Sequence, residues 1–287
     1  MPVVVAMLVM VAWGATPVLT RLATEDIAPV LVAVGRTVLA GVVALPLLAA
    51  MRQPLAPLGR RRGLLMASSL TGFVVFPLLY TVGQERTSAM HGAVILAALP
   101  VFTGLYAAIV SRRRPTPRWL VGCAVALLGE VVIIGIRAGS SGSGPTLVGD
   151  LLVLASGLAV SAGYVAGARL AATGYPSRAT AFWGVAIAAL VIWPIGAVVL
   201  VADGLPHADA AAWLSLVFLA VVTSIVGYIG WYWALARGGI VRIGTLQFLQ
   251  PLSGLALAAL VLDERLSAPM AVGAAAVLVG VTIAQRI

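Results

Sequence analysis

This sequence has little charge. Only 9% of its 287 residues are charged and 62% are hydrophobic, with a mean hydropathy of +1.11. A soluble domain of that length cannot cover itself with so few charges. Lysine is absent altogether, all 18 basic residues being arginine. With so much Ala, Gly, Val and Leu, that usage points to a GC-rich bacterial genome. The single cysteine, Cys123, lies in an apolar run, which excludes a disulfide within the chain and reads as a small buried hydrophobe. Histidine occurs twice, at His91 and His207, and no Cys/His ligand cluster, Gly-rich phosphate loop or His-Glu-x-x-His is present. No catalytic residue, metal, cofactor or ATP-driven step is therefore expected. Alternating apolar and polar strands are also missing, which excludes a membrane β-barrel. The N-terminus has no basic region ahead of its apolar run, so it is expected to be a first transmembrane helix and not a cleaved signal.

What the sequence does have is a succession of apolar runs, each long enough to cross a hydrocarbon core of roughly 30 Å. Ten can be placed: Val3–Leu22, Pro29–Ala50, Leu64–Gly83, Met90–Val110, Arg118–Ile136, Asp150–Leu170, Ala179–Ala202, Ala211–Leu235, Ile240–Leu262 and Ala268–Gln285. The expected class is an all-α polytopic membrane protein with ten transmembrane helices. A net charge of +9 and a pI near 11 would point to nucleic acid in a soluble protein. Here they follow from Arg collecting in short cytoplasmic loops, so the expected partners are the lipid bilayer and a small-molecule substrate. With the N-terminus inside, thirteen Arg fall in cytoplasmic segments (52, 60–62, 112–114, 118, 169, 178, 237, 242 and 286). Only four, at 21, 86, 137 and 265, fall on the opposite side, together with eight of the nine acids, Asp150 among them. Both termini are expected in the cytoplasm, and the membrane is expected to be the bacterial inner membrane.

The chain also repeats itself. Residues 78–136, shifted by 151, fall on 229–287 without a gap, and ten of the thirty positions from Pro100 to Gly129 are then identical. Composition alone gives roughly three or four. Pro100 falls on Pro251, Gly122 on Gly273 and Gly129 on Gly280. Five spans per copy is an odd number, so the second copy is inverted in the membrane, a plan shared by many secondary transporters. The expected organisation is a first five-helix repeat at 1–137, a flexible connector at 138–149 and an inverted repeat at 150–287. Pro100 and Pro251, the intramembrane prolines that match across the repeat, are the expected hinges of alternating access.

Two charges fall inside spans, Arg36 in the second and Glu130 in the fifth. Each is costly in hydrocarbon unless paired or wetted, and a buried Arg36–Glu130 pair is one reading, a substrate or proton role the other. In span three, Gly72, Phe76 and Tyr80 recur at four-residue spacing on one helical face; their mates under the shift are Thr223, Gly227 and Trp231. Trp13 likewise maps onto Tyr164. These aromatics, with Gln247 and Gln250 three residues apart on span nine, are the candidate lining of a central cavity. His91, near the mouth of span four beside Gln84 and Glu85, is a candidate gate or substrate contact. Tyr232 and Trp233 read equally well as interfacial-belt residues. Spans five and ten carry small-residue faces suited to tight packing.

Trp13-Gly14 in span one, Arg36 early in span two, and Thr87-Ser-Ala89 followed by Leu99-Pro100-Val-Phe-Thr103 carry a resemblance. So does Leu260-Val-Leu-Asp-Glu-Arg-Leu266, although Asp263 stands where the pattern has Gly. Over essentially its whole length the chain resembles the drug/metabolite transporter superfamily, in particular its ten-helix EamA family and the YddG-type exporters of aromatic amino acids. The resemblance implies two inverted five-helix halves around a cavity lined by spans one, three, four, six, eight and nine, and outward movement of neutral or zwitterionic solutes. The expected function is export of small metabolites, amino acids with aromatic or bulky apolar side chains foremost, with a monomer as the working unit and an oligomer as the alternative. Substrate would touch Trp13, Phe76, Tyr80, His91, Tyr164, Trp231, Gln247 and Gln250. Alternatives are a multidrug or other metabolite carrier of the superfamily, an intramembrane enzyme using His91, Glu130 and Arg36, and a receptor without flux.

Overall fold

The computed structural model describes residues 1–112, 116–135, 146–238, 243, 245–263 and 267–285. Among them ten helical rods follow one another, with no strand. They are α1 Pro2–Asp26, α2 Pro29–Ala50, α3 Arg60–Glu85, α4 over 89–111, α5 Pro117–Gly135, α6 Leu147–Ala172, α7 Ser177–Asp203, α8 Ala210–Gly238, α9 Leu249–Val261 and α10 Ala268–Gln285. Seven contain a stretch long and apolar enough to cross a membrane. Pro117–Gly129, Leu249–Val261 and Ala271–Gly280 are shorter apolar stretches among the described residues. Most of the connector 138–149 lies outside the described residues, as do Arg113, Arg114, Arg137, Arg242, Arg265 and Arg286 from the charge tally.

The sequence chemistry at the rod ends is ordinary. Pro29 and Pro117 open α2 and α5, where a missing N–H costs no helical bond. Ser88, Thr146 and Asp209 cap α4, α6 and α8 by accepting from the backbone N–H three residues on. Large apolar residues such as Leu190, Val198, Val201, Leu214 and Leu260 remain on the outside. That exterior suits hydrocarbon and not water.

Packing is two-fold. α2 lies along α7 and α5 along α10, each element against its own repeat mate. The contacts of α6 with α3 and α4 recur as contacts of α1 with α8 and α9. The α5–α10 seam is a glycine seam: a Cβ on Gly280 would meet Ala126 N and Gly122 O at 2.4 and 2.5 Å. The helices touch backbone to backbone there, as their small-residue faces predict.

Five rods are irregular within their length or at their start. α1 is interrupted after Gly14 and resumes at Thr16-Pro17. α3 passes through a π-helical segment, Leu70–Val75, and resumes at Phe76-Pro77. α4 contains a 3-10 turn at Leu96–Ala98 before Leu99-Pro100, and α9 follows one at Thr245–Phe248 before Leu249-Gln-Pro251. α8 carries a second π segment, Leu219–Gly227, without proline. Among the described residues only Pro46 and Pro194 sit inside regular helix. Pro100 and Pro251 therefore differ from kinks cut into a continuous helix: each is in the first turn after a break, where it removes no established bond. Irregular backbone at membrane depth is tolerated only where protein or a cavity surrounds it, so these breaks mark the centre of the molecule.

Candidate functional site

The breaks turn backbone carbonyls toward side-chain donors. In the first π segment Gly72 O accepts from the Tyr228 hydroxyl at 3.2 Å and Phe73 O from Thr37 Oγ1 at 3.0 Å. In the second, Thr223 O accepts from Trp13 Nε1 at 3.0 Å. Gly14 lets α1 approach α9: a Cβ there would fall 2.8 Å from Gln250 O and closer still to Ser253. That approach sets Trp13 at the middle of the bundle.

Trp13 is the hub of an aromatic cluster. Its ring stacks on Tyr164 with centroids 5.6 Å apart and planes 9° from parallel. Tyr228 and Trp231 tilt against it at 5.3 and 5.8 Å. Tyr228 also packs on Phe73 at 4.2 Å, on Tyr232 at 5.7 Å and on Tyr164 at 5.9 Å. Phe76 stacks on Tyr80 at 5.3 Å. Tyr232 is fully buried with its hydroxyl 2.7 Å from Ser68 Oγ, which places it in the core and not in an interfacial belt. Trp233 is partly buried, with Arg237 over its ring at 5.3 Å.

A narrow cavity opens beside the cluster, lined by Thr103 of α4, Tyr164, Val165 and Ala168 of α6, Trp231 and Leu235 of α8, and Gln247. Its walls carry polar groups with nothing to bond. The Thr103 hydroxyl, Trp231 Nε1 and both ends of the Gln247 amide are buried without a hydrogen-bond partner. The Tyr80 hydroxyl and Gln250 Oε1 are in the same condition. Each such group costs about 1–3 kcal/mol when left dry, so so many together mark a place built to meet a polar molecule.

The charged candidates separate. Arg36 is 2% exposed and its NH2 donates to Thr223 Oγ1 at 2.8 Å and Ser224 Oγ at 3.2 Å. Its electrostatic neighbours are the phenols of Tyr80, Tyr164 and Tyr228. The Glu130 side chain lies outside the described residues; its helix packs chiefly on α10, whereas that of Arg36 packs on α7. His91 belongs to a second polar cluster. Its Nδ1 stands 3.6 Å from Asp150 Oδ2, too long for a hydrogen bond but close enough for a charge pair, while Thr87 donates to Asp150 Oδ1 at 2.5 Å. Gln84 Nε2 donates to Ser88 O, and Thr146 N to Arg86 O, so the α3–α4 corner is tied to the start of α6.

Three participants escaped the sequence reading. Asp150, counted with the outer loop acids, is completely buried one turn into α6. Tyr228 lies on the Ser224–Tyr228–Trp231 face of α8, a helical spacing that was there to be read. Thr103 is legible only as the last residue of the Leu99-Pro100-Val-Phe-Thr103 run and not as a lining residue.

Comparison with known proteins agrees with this architecture. The model of the EamA-like transporter family matches residues 1–135 and 147–285. An uncharacterized transporter, YdeK, of Bacillus subtilis (strain 168) is 31% identical over 97% of this chain and 94% of its own length. A probable amino-acid metabolite efflux pump of Escherichia coli (strain K12) is 30% identical over 98% of this chain and 93% of its own. A probable terminal-alkyne amino-acid exporter of Streptantibioticus cattleyicolor is 28% identical over 80% of this chain and 77% of its own. One solved crystal structure superposes with a TM-score of 0.67 over 99% of this chain and 98% of that one, at 19% identity, a likeness of fold.

Proposed function

The chain belongs to the EamA-like transporter family, and on that premise we propose that it exports small neutral or zwitterionic metabolites, above all amino acids with aromatic or bulky apolar side chains. The observation that carries this reading is the cavity wall, where aromatic faces alternate with buried polar groups that have no protein partner. An apolar side chain would stack on Trp13, Tyr164 and Trp231, with Phe76 and Tyr80 behind, while the polar end meets Gln247 and Gln250. The amino-acid efflux and export named for two relatives points the same way.

Movement would be by alternating access between the halves 1–137 and 150–287, joined by 138–149. The sequence repeat, the two stretches matched by the family model and the two-fold packing all support that division. The 3-10 turns ahead of Pro100 and Pro251 are the flexing points, since such a turn holds the helix with poorer bonds than the α-helix around it. The His91–Asp150–Thr87 cluster would close one mouth. The arginine asymmetry supports a bacterial inner-membrane protein with both termini on the cytoplasmic side, and a monomer is the proposed working unit.

The test is flux in proteoliposomes with labelled amino acids offered one at a time and no ion gradient. Saturable downhill uptake of tryptophan or phenylalanine, competed by the unlabelled compound, is expected. Folded protein that moves no amino acid, with or without a pH gradient, overturns the reading.

A further inference from the structure

We propose that Arg36 is the carboxylate anchor of the transport site, so that a carboxylate on the substrate is required for recognition. The inference rests on the export reading and names the substrate group that export would demand.

Arg36 is held in place without being neutralised. Thr223 and Ser224 each donate a hydroxyl proton to Leu219 O, at 2.5 and 2.9 Å, which fixes both hydroxyls with a lone pair turned to the guanidinium. Their π segment makes this geometry, because the winding there brings one carbonyl within reach of two side chains. Both acceptors take hydrogen bonds from NH2. Nε and NH1 are buried and have no partner. Three N–H donors and a whole positive charge are thus left uncompensated, and no Asp or Glu among the described residues bonds or pairs with the guanidinium. A buried cation oriented so closely, with no anion against it among the described residues, leaves that place for a ligand.

The surroundings narrow the anion. With one cation in the site, a carboxylate reaches neutrality, while a phosphate dianion would leave an unpaired negative charge in a dry interior. The unbonded hydroxyl of Tyr80, an electrostatic neighbour of Arg36, supplies a further donor for a carboxylate oxygen. Thr223 links the anchor to the aromatic wall: its hydroxyl holds Arg36 and its carbonyl holds Trp13 Nε1. A carboxylate at Arg36 therefore sets the rest of the molecule toward Trp13 and its stacking partner Tyr164.

The experiment is a ligand series on the wild-type protein and on R36Q and R36K, read both as competition for phenylalanine flux in proteoliposomes and as quenching of tryptophan fluorescence in detergent. The series is phenylalanine, 3-phenylpropionate, phenylalaninamide, phenethylamine and phenyl phosphate. Wild type is expected to bind phenylalanine about 10- to 100-fold more tightly than phenylalaninamide, the range of a hydrogen-bonded charge contact. 3-Phenylpropionate should compete, and phenethylamine and phenyl phosphate should not. R36Q should bring the phenylalanine-to-amide ratio to about one, and R36K should keep part of it. Amide and amine recognised as well as the acid by wild type overturns the anchor while leaving export intact, and needs no variant to fold. Preference for phenyl phosphate over the acid also overturns it. An unchanged ratio in folded R36Q overturns it again. No binding or flux of any compound by wild type removes the export reading itself.

Discussion

The two π-helical segments, Leu70–Val75 in α3 and Leu219–Gly227 in α8, are related by the 151-residue repeat and have been put to different uses. Gly72 and Thr223 are equivalent positions, and in both the backbone carbonyl accepts an aromatic donor, from Tyr228 in one case and Trp13 in the other. That backbone device is common to both halves. The side chains diverge. Gly72-Phe73 offers a flat surface and a ring that packs on Tyr228, whereas Thr223-Ser224 offers two hydroxyls that hold Arg36. The frame is symmetric, and substitution within it gave the buried charge of α2 its hydrogen-bond acceptors in the second half. The asymmetry between the two halves thus lies in side chains, while the geometry they share lies in the backbone.

The largest effect that would break this comparison is expected at Gly227. A Cβ there would lie 2.3 Å from Trp13 Nε1, and Trp13 is wedged among Tyr164, Tyr228 and Trp231 with its N–H bonded to Thr223 O. The indole cannot swing aside without breaking its stack and its bond. Gly227→Ala should cost about 1–3 kcal/mol by overpacking and about 1 kcal/mol more for the lost hydrogen bond. Thermal unfolding of the detergent-solubilised protein would measure it, and transport should fall with it. A melting temperature equal to wild type would mean that Trp13 is not fixed as described.

Thr223→Val comes next and separates the two uses of one residue. Volume and backbone carbonyl are retained, so Trp13 keeps its acceptor, but Arg36 loses the nearer of its two hydroxyls. A hydrogen bond to a charged group is worth about 1.5–3 kcal/mol, and a loss in that range is expected. Apparent affinity for a carboxylate substrate should weaken as Arg36 drifts, while the tryptophan fluorescence spectrum stays near that of wild type. A large spectral change instead would show that hydroxyl and carbonyl act as one unit.

How much of this could be read from the chain depends on the kind of signal. The repeat made Trp13 and Tyr164 mates before any coordinates existed, and they are found face to face. Helical periodicity put Phe76 and Tyr80 on one face, and their rings stack. The glycines of α5 and α10 announced their seam. Other features left no such mark. A π segment differs from an α-helix by one residue of winding, which no apolar period records, and so the carbonyls of Gly72 and Thr223 could not be foreseen as acceptors. The partners of Arg36 lie 187 and 188 residues away, on a helix where a Thr-Ser pair is unremarkable. Asp150 misled because a carboxylate at the start of a span looks like loop chemistry. Its burial depends on Thr87, from the turn between α3 and α4, and on His91 of α4.

The smallest effect is expected where the halves differ most in room. Gly72, unlike Gly227, has space: a Cβ there would meet the Tyr228 hydroxyl at 3.5 Å and its ring at 3.7 Å, ordinary van der Waals contact. Gly72→Ala should therefore leave the Tyr228 bond to the residue-72 carbonyl intact. An alanine within a helical run also restricts the unfolded chain, a gain of roughly 0.5–1 kcal/mol over glycine. A melting temperature at or slightly above wild type, with transport unchanged, is the expected result. The inference is sharper than the small number implies, because the same substitution at Gly227 is expected to be the most damaging of the three. If both alanines destabilise alike, the π segment of α3 tolerates no added side chain, and its carbonyl geometry rather than the packing around Trp13 limits both halves. If they differ as expected, the first half holds its shape by backbone alone, and the second by the side chains that the aromatic wall and Arg36 require.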